Sequence, residues 1–314
     1  MYSLMKSKGK KKIPHLLSIK DLSRKEILDI LCLAEDFKSR KLKKKRPLEG
    51  CSIGLIFQKP SNRTRVSFEV GIYDLGGNAI YLRPEDIQLG ERESVADVAK
   101  VLTRYLDGIV VRTFKHEDLE ELAENATIPV VNALSDLFHP CQVLADIFTV
   151  QEKIGLENVK IVFVGDGNNV CQSWLIGAAK LGLNFTAACP KGYYPKARIV
   201  KEAKKIAGKK AKNITVTQNV DEAVKNADVI YTDVWVSMGQ EDETVERMSV
   251  FRPYQVNAKL LKKANPKALV MHCLPAHRGE EIASSVIDGP RSIVYDQAEN
   301  RLHVQKAILT KLFS

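Results

Sequence analysis

The chain has 314 residues, of which 45% are apolar, 27% charged and 7% aromatic, enough for two domains of about 150 residues each. No apolar run approaches the ~18–20 residues of a membrane span, glycine and proline are too sparse for a fibrous or disordered chain, and the first residues lack the apolar stretch of a secretion signal. The net charge of +10 is local: residues 1–46 hold 15 Lys/Arg and 5 Asp/Glu, leaving 33 of each sign in the rest.

Two runs carry that basicity, Lys6 to Lys12 and Lys38 to Arg46. A nucleic-acid or anionic-surface patch is one reading. No aromatic residue interleaves the second run, which argues for a solvated arm over residues 1–17 and for a helix end whose lysines suit the dipole. A mitochondrial presequence fits poorly, because the arm is rich in Lys rather than Arg and acids appear by Asp21. Nucleic acid is therefore not expected as a partner. Six cysteines without a C-x-x-C pair point to reduced thiols in a cytoplasmic protein.

Next along the chain, Ser23 with Glu26 is a capping-box pattern ahead of Leu28, Leu31, Ala34 and Phe37 at helical spacing. Ser52 to Phe57 reads as a buried strand, Val66 to Leu75 as helix, and Ala79 to Leu82 as strand. Val95 to Tyr105 is helical, Gly108 to Val111 a strand ending at Arg112, Leu119 to Ala126 helical, and Pro129 to Asn132 strand. His139-Pro140 opens a long helix through Lys153, placed to bridge two domains. A second alternation follows: strand from Lys160, helix Val170 to Leu181, strand from Asn184, helix Ala197 to Ala207. Then come strand Thr215 to Gln218, helix Asp221 to Asn226, strand Asp228 to Asp233, strand Ala268 to Cys273 and a closing helix Glu299 to Leu312. Such alternation predicts an α/β protein of two domains, each a central parallel sheet flanked by helices. Ligands bind such sheets outside the carboxyl ends of the strands.

Polar clusters fall at those ends. Ser61-Asn62-Arg63-Thr64-Arg65, between a strand and a helix, offers N–H groups, hydroxyls and guanidiniums to an anion; a doubly charged phosphate fits so many donors. Arg112-Thr113 ends a strand. His139 and Gln142 sit three apart at a helix start and can address one polar group together. Asp233 followed by Ser237 and a turn suits the ammonium and carboxylate of a zwitterion. His272-Cys273-Leu274-Pro275-Ala276-His277 follows a strand. Gly165-Asp166-Gly167-Asn168-Asn169 superficially matches a dinucleotide fingerprint, but the third glycine and the ribose-binding acid are absent, which weighs against a dehydrogenase. His272, Cys273 and His277 with His139 or Cys141 match no common zinc template.

SNRTRVSFEVG (61–71), DIQLGERES (86–94), HPCQVLAD (139–146), GDGNNV (165–170), DVWVSMGQE (233–241), HCLPAHRGEE (272–281) and DQAENRLHVQKA (296–307) together resemble the ornithine carbamoyltransferases. The likeness spans essentially the whole chain beyond the basic arm. HPCQ is shared among several carbamoyltransferases, whereas the SMG and HCLPAHRG segments point to ornithine over aspartate, putrescine or N-acetylornithine. Asn62 stands where the family has Thr and keeps a polar side chain and its N–H.

The resemblance implies transfer of the carbamoyl group of carbamoyl phosphate to the δ-amine of L-ornithine, giving L-citrulline and phosphate in arginine metabolism, with no cofactor and no metal. It implies a carbamoyl-phosphate domain over residues 1–150, joined by the C-terminal helix 299–314, and an ornithine domain over 151–298. Ser61, Asn62, Arg63, Thr64 and Arg301 would hold the phosphate. Arg112 would bridge phosphate and carbonyl oxygen, His139 would donate to that oxygen, and Gln142 and the Leu274 carbonyl would meet the carbamoyl nitrogen. Pro140, Cys141 and Cys273 complete the expected carbamoyl-phosphate site. Gln88 would reach into a neighbouring subunit's site, so a trimer or a multiple of trimers with shared active sites is expected. Asn169, Asp233, Ser237 and the Met238 main chain would bind the amino acid. Cys273 and Asp233 would relay a proton from the δ-amine or simply orient it. Gly239 would hinge closure of the SMG loop after carbamoyl phosphate has bound.

Overall fold

The computed structural model describes residues 14–88, 90, 92–237, 239 and 241–313. The basic run Lys6 to Lys12 and the expected ligand Met238 lie outside them. The first half of the chain gives α1 (Arg24–Lys38), β1 (Ser52–Phe57), α2 (Asn62–Asp74), β2 (Asn78–Leu82) and α3 (Pro84–Ile87). It continues with α4 (Val95–Leu102), β3 (Gly108–Arg112), α5 (His116–Asn125), β4 (Val130–Leu134) and α6 (Pro140–Ile154). The second half begins β5 (Lys160–Val164), α7 (Asn169–Leu181), β6 (Asn184–Ala188), α8 (Ala197–Ala207), β7 (Ile214–Thr217) and α9 (Val220–Val224). It ends β8 (Val229–Thr232), α10 (Thr244–Phe251), α11 (Ala258–Leu261), β9 (Leu269–His272), α12 (Ser284–Ile287) and α13 (Val294–Leu312).

Two sheets result, ordered β2-β1-β3-β4 and β7-β6-β5-β8-β9. All strand pairs are parallel, so every strand delivers its carboxyl end to the same edge of its sheet. The expected class, two helix-flanked parallel sheets, is what the chain adopts. Side chains alternate across each sheet. Ile53, Leu55 and Phe57 of β1 enter the main core, while Ile56 packs with Val95, Val98, Leu119 and Leu122 on the outer face. In β5, Ile161 and Phe163 join the main core, and Val162 and Val164 face Tyr254, Leu260 and Val286.

The main core runs unbroken from the first sheet through α6 to the second. Residues Pro140 to Val150 of α6 are all buried, because this helix has neighbours on every side. The Ser23–Glu26 capping box forms as expected. Lys38, in the last turn of α1, bonds Glu152 and Asn300, a structural role for the start of the second basic run. The closing helix begins at Val294, five residues earlier than its periodicity suggests, and packs on α1, α2 and α6. Helix α10 was not expected: its Thr-Val-Glu-Arg-Met start carries no apolar stripe, and Val245 is 86% exposed. Among the described residues, no helix is long and apolar enough to cross a membrane.

Candidate active site

A cavity of about 1120 Å³ opens between the carboxyl ends of the two sheets. The segment after β1 supplies Ser61 to Thr64, the end of β3 supplies Arg112, and the start of α6 supplies His139 and Gln142. From the other sheet come Asn168 and Asn169 after β5, Asp233 and Ser237 after β8, and Cys273 and Leu274 after β9; Arg301 arrives from α13. Gln88, Pro140 and Cys141 do not line it. Pro140 is buried at the first helical position of α6, and the Cys141 thiol donates to the Asn132 carbonyl at 3.4 Å, so its side chain is spent on packing. Gln88 caps α3 in a left-handed conformation, outside its own chain's cavity.

One half of the cavity is cationic. Arg63, Arg112 and Arg301 face one another, and none forms an ion pair among the described residues. Arg301 Nη2 donates to Thr64 Oγ1 at 2.6 Å, while the Nε atoms of Arg112 and Arg301 are buried without a partner. Burial and the charges of Arg301 and Arg63 lower the Arg112 guanidinium to about 10, still charged at neutral pH. Ser61 begins α2 without a side-chain cap, so the first N–H groups of that helix remain as donors. Uncompensated buried cations beside a helix N-terminus call for a multiply charged anion.

His139 borders this half. Burial, then Arg301 and Arg112, hold its ring well below the usual 6.5. It is therefore a neutral imidazole at physiological pH, and its main-chain N–H is tied to Ser173 Oγ at 2.8 Å. Gln142 donates from Nε2 to Asp146 Oδ1 at 2.8 Å, and its Oε1 is buried without a partner.

The other half is acidic and polar. Asp233 accepts from the Cys273 thiol at 2.9 Å and from Asn168 Nδ2 at 2.7 Å. Burial, then Asp233, pushes the Cys273 thiol well above its usual 9.0, so it is a neutral donor. The turn after β9 is clamped from behind: the Leu274 N–H donates to His272 Nδ1 at 2.8 Å, and His272 Nε2 lies 3.1 Å from Glu281 Oε1. The bond to Nδ1 leaves the ring proton on Nε2, shared with the Glu281 carboxylate. Glu281 also accepts from the His277 N–H at 2.6 Å. With both ring nitrogens so engaged, His272 belongs to a hydrogen-bond clamp rather than to the zinc grouping weighed from the sequence.

Several residues of this region take roles that the sequence did not assign to them. Asn169, expected to touch substrate, donates to the Ser135 carbonyl at 2.6 Å while lining the cavity, and its neighbour Asn168 holds Asp233. Arg247, from the unexpected α10, is buried and bonds Asp166 at 2.9 Å, the Trp235 carbonyl at 3.0 Å and Glu243 at 2.6 Å. It ties the loop after β8 to the Gly165–Asp166 turn. Asp146 lay inside a helical stripe, one turn beyond Gln142; that i,i+4 spacing was the available signal.

The sequence matches two family models end to end. Residues 14–152 match the aspartate/ornithine carbamoyltransferase carbamoyl-P binding domain, and residues 157–312 match the aspartate/ornithine carbamoyltransferase Asp/Orn binding domain. An ornithine carbamoyltransferase of Methanobrevibacter smithii is 52% identical over 296 residues, covering 94% of this chain and 98% of that one. One from Anoxybacillus flavithermus is 50% identical over 99% of both chains. The solved ornithine carbamoyltransferase from Pyrococcus furiosus superposes with a TM-score of 0.91 at 52% identity, covering 95% and 96% of the two chains. With its two parallel sheets, its arginine cluster and both halves matched, the chain belongs to the aspartate/ornithine carbamoyltransferase family.

Proposed function

We propose that this chain is an ornithine carbamoyltransferase that converts carbamoyl phosphate and L-ornithine to L-citrulline and phosphate, within arginine metabolism. The observation that carries this reading is the division of one cavity. Three arginines without an ion pair among the described residues and a helix N-terminus occupy one half, and a carboxylate held by a thiol and an amide occupies the other.

Ser61, Asn62, Arg63, Thr64 and Arg301 bind the phosphate. Arg112 spans phosphate and carbonyl oxygen. His139 donates to that oxygen through its neutral ring and stabilises the charge that develops on it. Gln142 Oε1 and the Leu274 carbonyl accept from the carbamoyl nitrogen. Asp233, with Ser237, Asn169 and the Met238 main chain, holds the amino-acid head. The uncharged δ-amine attacks the carbamoyl carbon, a C–N bond forms, and the C–O bond to phosphate breaks. The departing phosphate takes up the proton that the amine sheds. A neutral Cys273 thiol orients the amine and Asp233 rather than acting as a base. The chemistry needs positioning and charge stabilisation from these side chains.

We place the boundary between a carbamoyl-phosphate lobe and an ornithine lobe near residue 150, with the C-terminal helix returning to the first lobe. The packing of α13 on α1, α2 and α6 supports that division. The protein works as a trimer, or a multiple of trimers, with Gln88 completing a neighbour's site. Val66, Val70 and Tyr73 support assembly: they form an exposed stripe on α2 at helical spacing. The enzyme is cytoplasmic, in keeping with six unpaired thiols.

Citrulline formation by the purified protein tests the reading. Ornithine should give product, and putrescine and aspartate should not. Absence of citrulline with both substrates present would overturn it.

A further inference from the structure

Asp146 lies one helical turn beyond Gln142 on α6 and is fully buried. It forms no ion pair among the described residues. Neutral donors surround it instead: Gln142 Nε2 at 2.8 Å and Gln297 Nε2 at 2.7 Å on Oδ1, and Trp174 Nε1 at 3.2 Å on Oδ2. Gln297 in turn lies 3.1 Å from the Tyr231 hydroxyl and accepts from the His272 N–H at 3.0 Å. The carboxylate therefore joins α6, α7, β8, β9 and α13 directly beneath the cavity.

A carboxylate only accepts hydrogen bonds. The amide of Gln142 must then turn its nitrogen toward Asp146. Its other polar atom, Oε1, is buried without a protein partner on a residue that lines the cavity. A ligand atom that satisfies it has to be a donor. We propose that Asp146 is a positioning residue that fixes the Gln142 amide as an acceptor, and so selects an acyl phosphate whose carbonyl carbon bears NH2 over one that bears CH3. This rests on the acyl-transfer reading above, in which Gln142 faces the carbamoyl nitrogen. Burial raises the Asp146 carboxyl to about 7, so the acceptor form dominates at pH 8.

Phosphonoacetamide and acetonylphosphonate differ only in NH2 against CH3 and cannot transfer their acyl groups. Calorimetric titration of each at pH 8, alongside inorganic phosphate, reads the contact in isolation. The wild type should prefer the amide tenfold or more. Asp146→Asn can present either oxygen or nitrogen to Gln142, so its preference should fall below threefold while phosphate affinity stays within twofold. Trp174→Phe removes the donor to Oδ2 but leaves Oδ1, and should keep the preference. The inference is overturned by a wild-type preference below threefold, by Asp146→Asn retaining the preference or losing phosphate to the same extent, or by Trp174→Phe losing the preference. If Asp146→Asn does not fold, the wild-type and Trp174→Phe preferences decide. A wild type that makes no citrulline sinks the acyl-transfer reading; citrulline formation with unaltered discrimination in Asp146→Asn sinks this inference alone.

Discussion

The Cys273 thiol donates to Asp233 Oδ1 at 2.9 Å across a separation of 40 residues. The two side chains leave the ends of adjacent parallel strands, β9 and β8, so the sheet itself sets their spacing. Cys273→Ala removes the thiol donor and leaves Asp233 with the Val234 N–H on Oδ1 and Asn168 on Oδ2. The KM for ornithine should rise about tenfold, the worth of one hydrogen bond to a charged group. The KM for carbamoyl phosphate should stay within twofold. Equal losses in both, measured by steady-state kinetics with each substrate varied, would contradict the assignment of Cys273 to the amino-acid half.

Arg112 offers a forked donor from the end of β3 and has no internal partner for its Nε. Arg112→Lys keeps the charge and loses the fork. A fall in kcat of about 10²–10³ is expected, the typical cost of one preorganised donor on a developing oxyanion. Single-turnover rates separate this from weakened binding. A change below threefold would remove Arg112 from the reacting centre.

Burial raises the Asp146 carboxyl from its ordinary 3.8 to about 7. The folded protein therefore binds more protons than the unfolded one between those values. This group's contribution to stability falls as pH rises through that window and levels off above it. Between pH 5 and pH 8 the loss is on the order of 2 kcal/mol. Urea unfolding at those two pH values should show a shallower pH slope in Asp146→Asn than in the wild type.

Arg247 and Asp166 form a buried ion pair at 2.9 Å, with side chains 6% and 12% exposed. Arg247→Met leaves a buried carboxylate whose pKa of about 6 is already raised by burial, despite the arginine. A destabilisation of roughly 3–5 kcal/mol is expected at pH 8, less at pH 5 where Asp166 takes up a proton. Thermal unfolding at both pH values checks the magnitude and the sign.

Gly167 carries a steric requirement. A Cβ built there would stand 2.1 Å from the Pro195 nitrogen and 2.4 Å from the Tyr194 carbonyl carbon, both backbone atoms. Gly167→Ala should push the 193–195 loop off the turn after β5 and cost about 1–3 kcal/mol. It should also raise the KM for ornithine, since Asn168 is the next residue. Equilibrium unfolding and kinetics on the same variant test both effects.

Much of this protein is legible along the chain. The alternation of short apolar runs with helical stripes marks the β-strands and long helices to within a few residues, because burial on two faces or one is a local pattern of period two or 3.6. Polar clusters after strand ends mark the mouth of the cavity, since a parallel sheet sends all its carboxyl ends to one edge. The motifs from Ser61 to Arg301 carry the family. Helix α10 was hidden because it buries one arginine, Arg247, and one aromatic, Phe251, while Val245 is exposed, so no apolar stripe marks it.

What the fold alone decides is which of those polar residues meet, and in which protonation state. Arg301 reaches Thr64 across 237 positions, and Asn168 rather than Asn169 holds Asp233. Asp146 is an unremarked acid in a helix until α7 and α13 close over it. The reason is physical: hydrogen-bond partners and desolvation depend on which distant segments pack together. Spacing along a chain encodes only which way each side chain points.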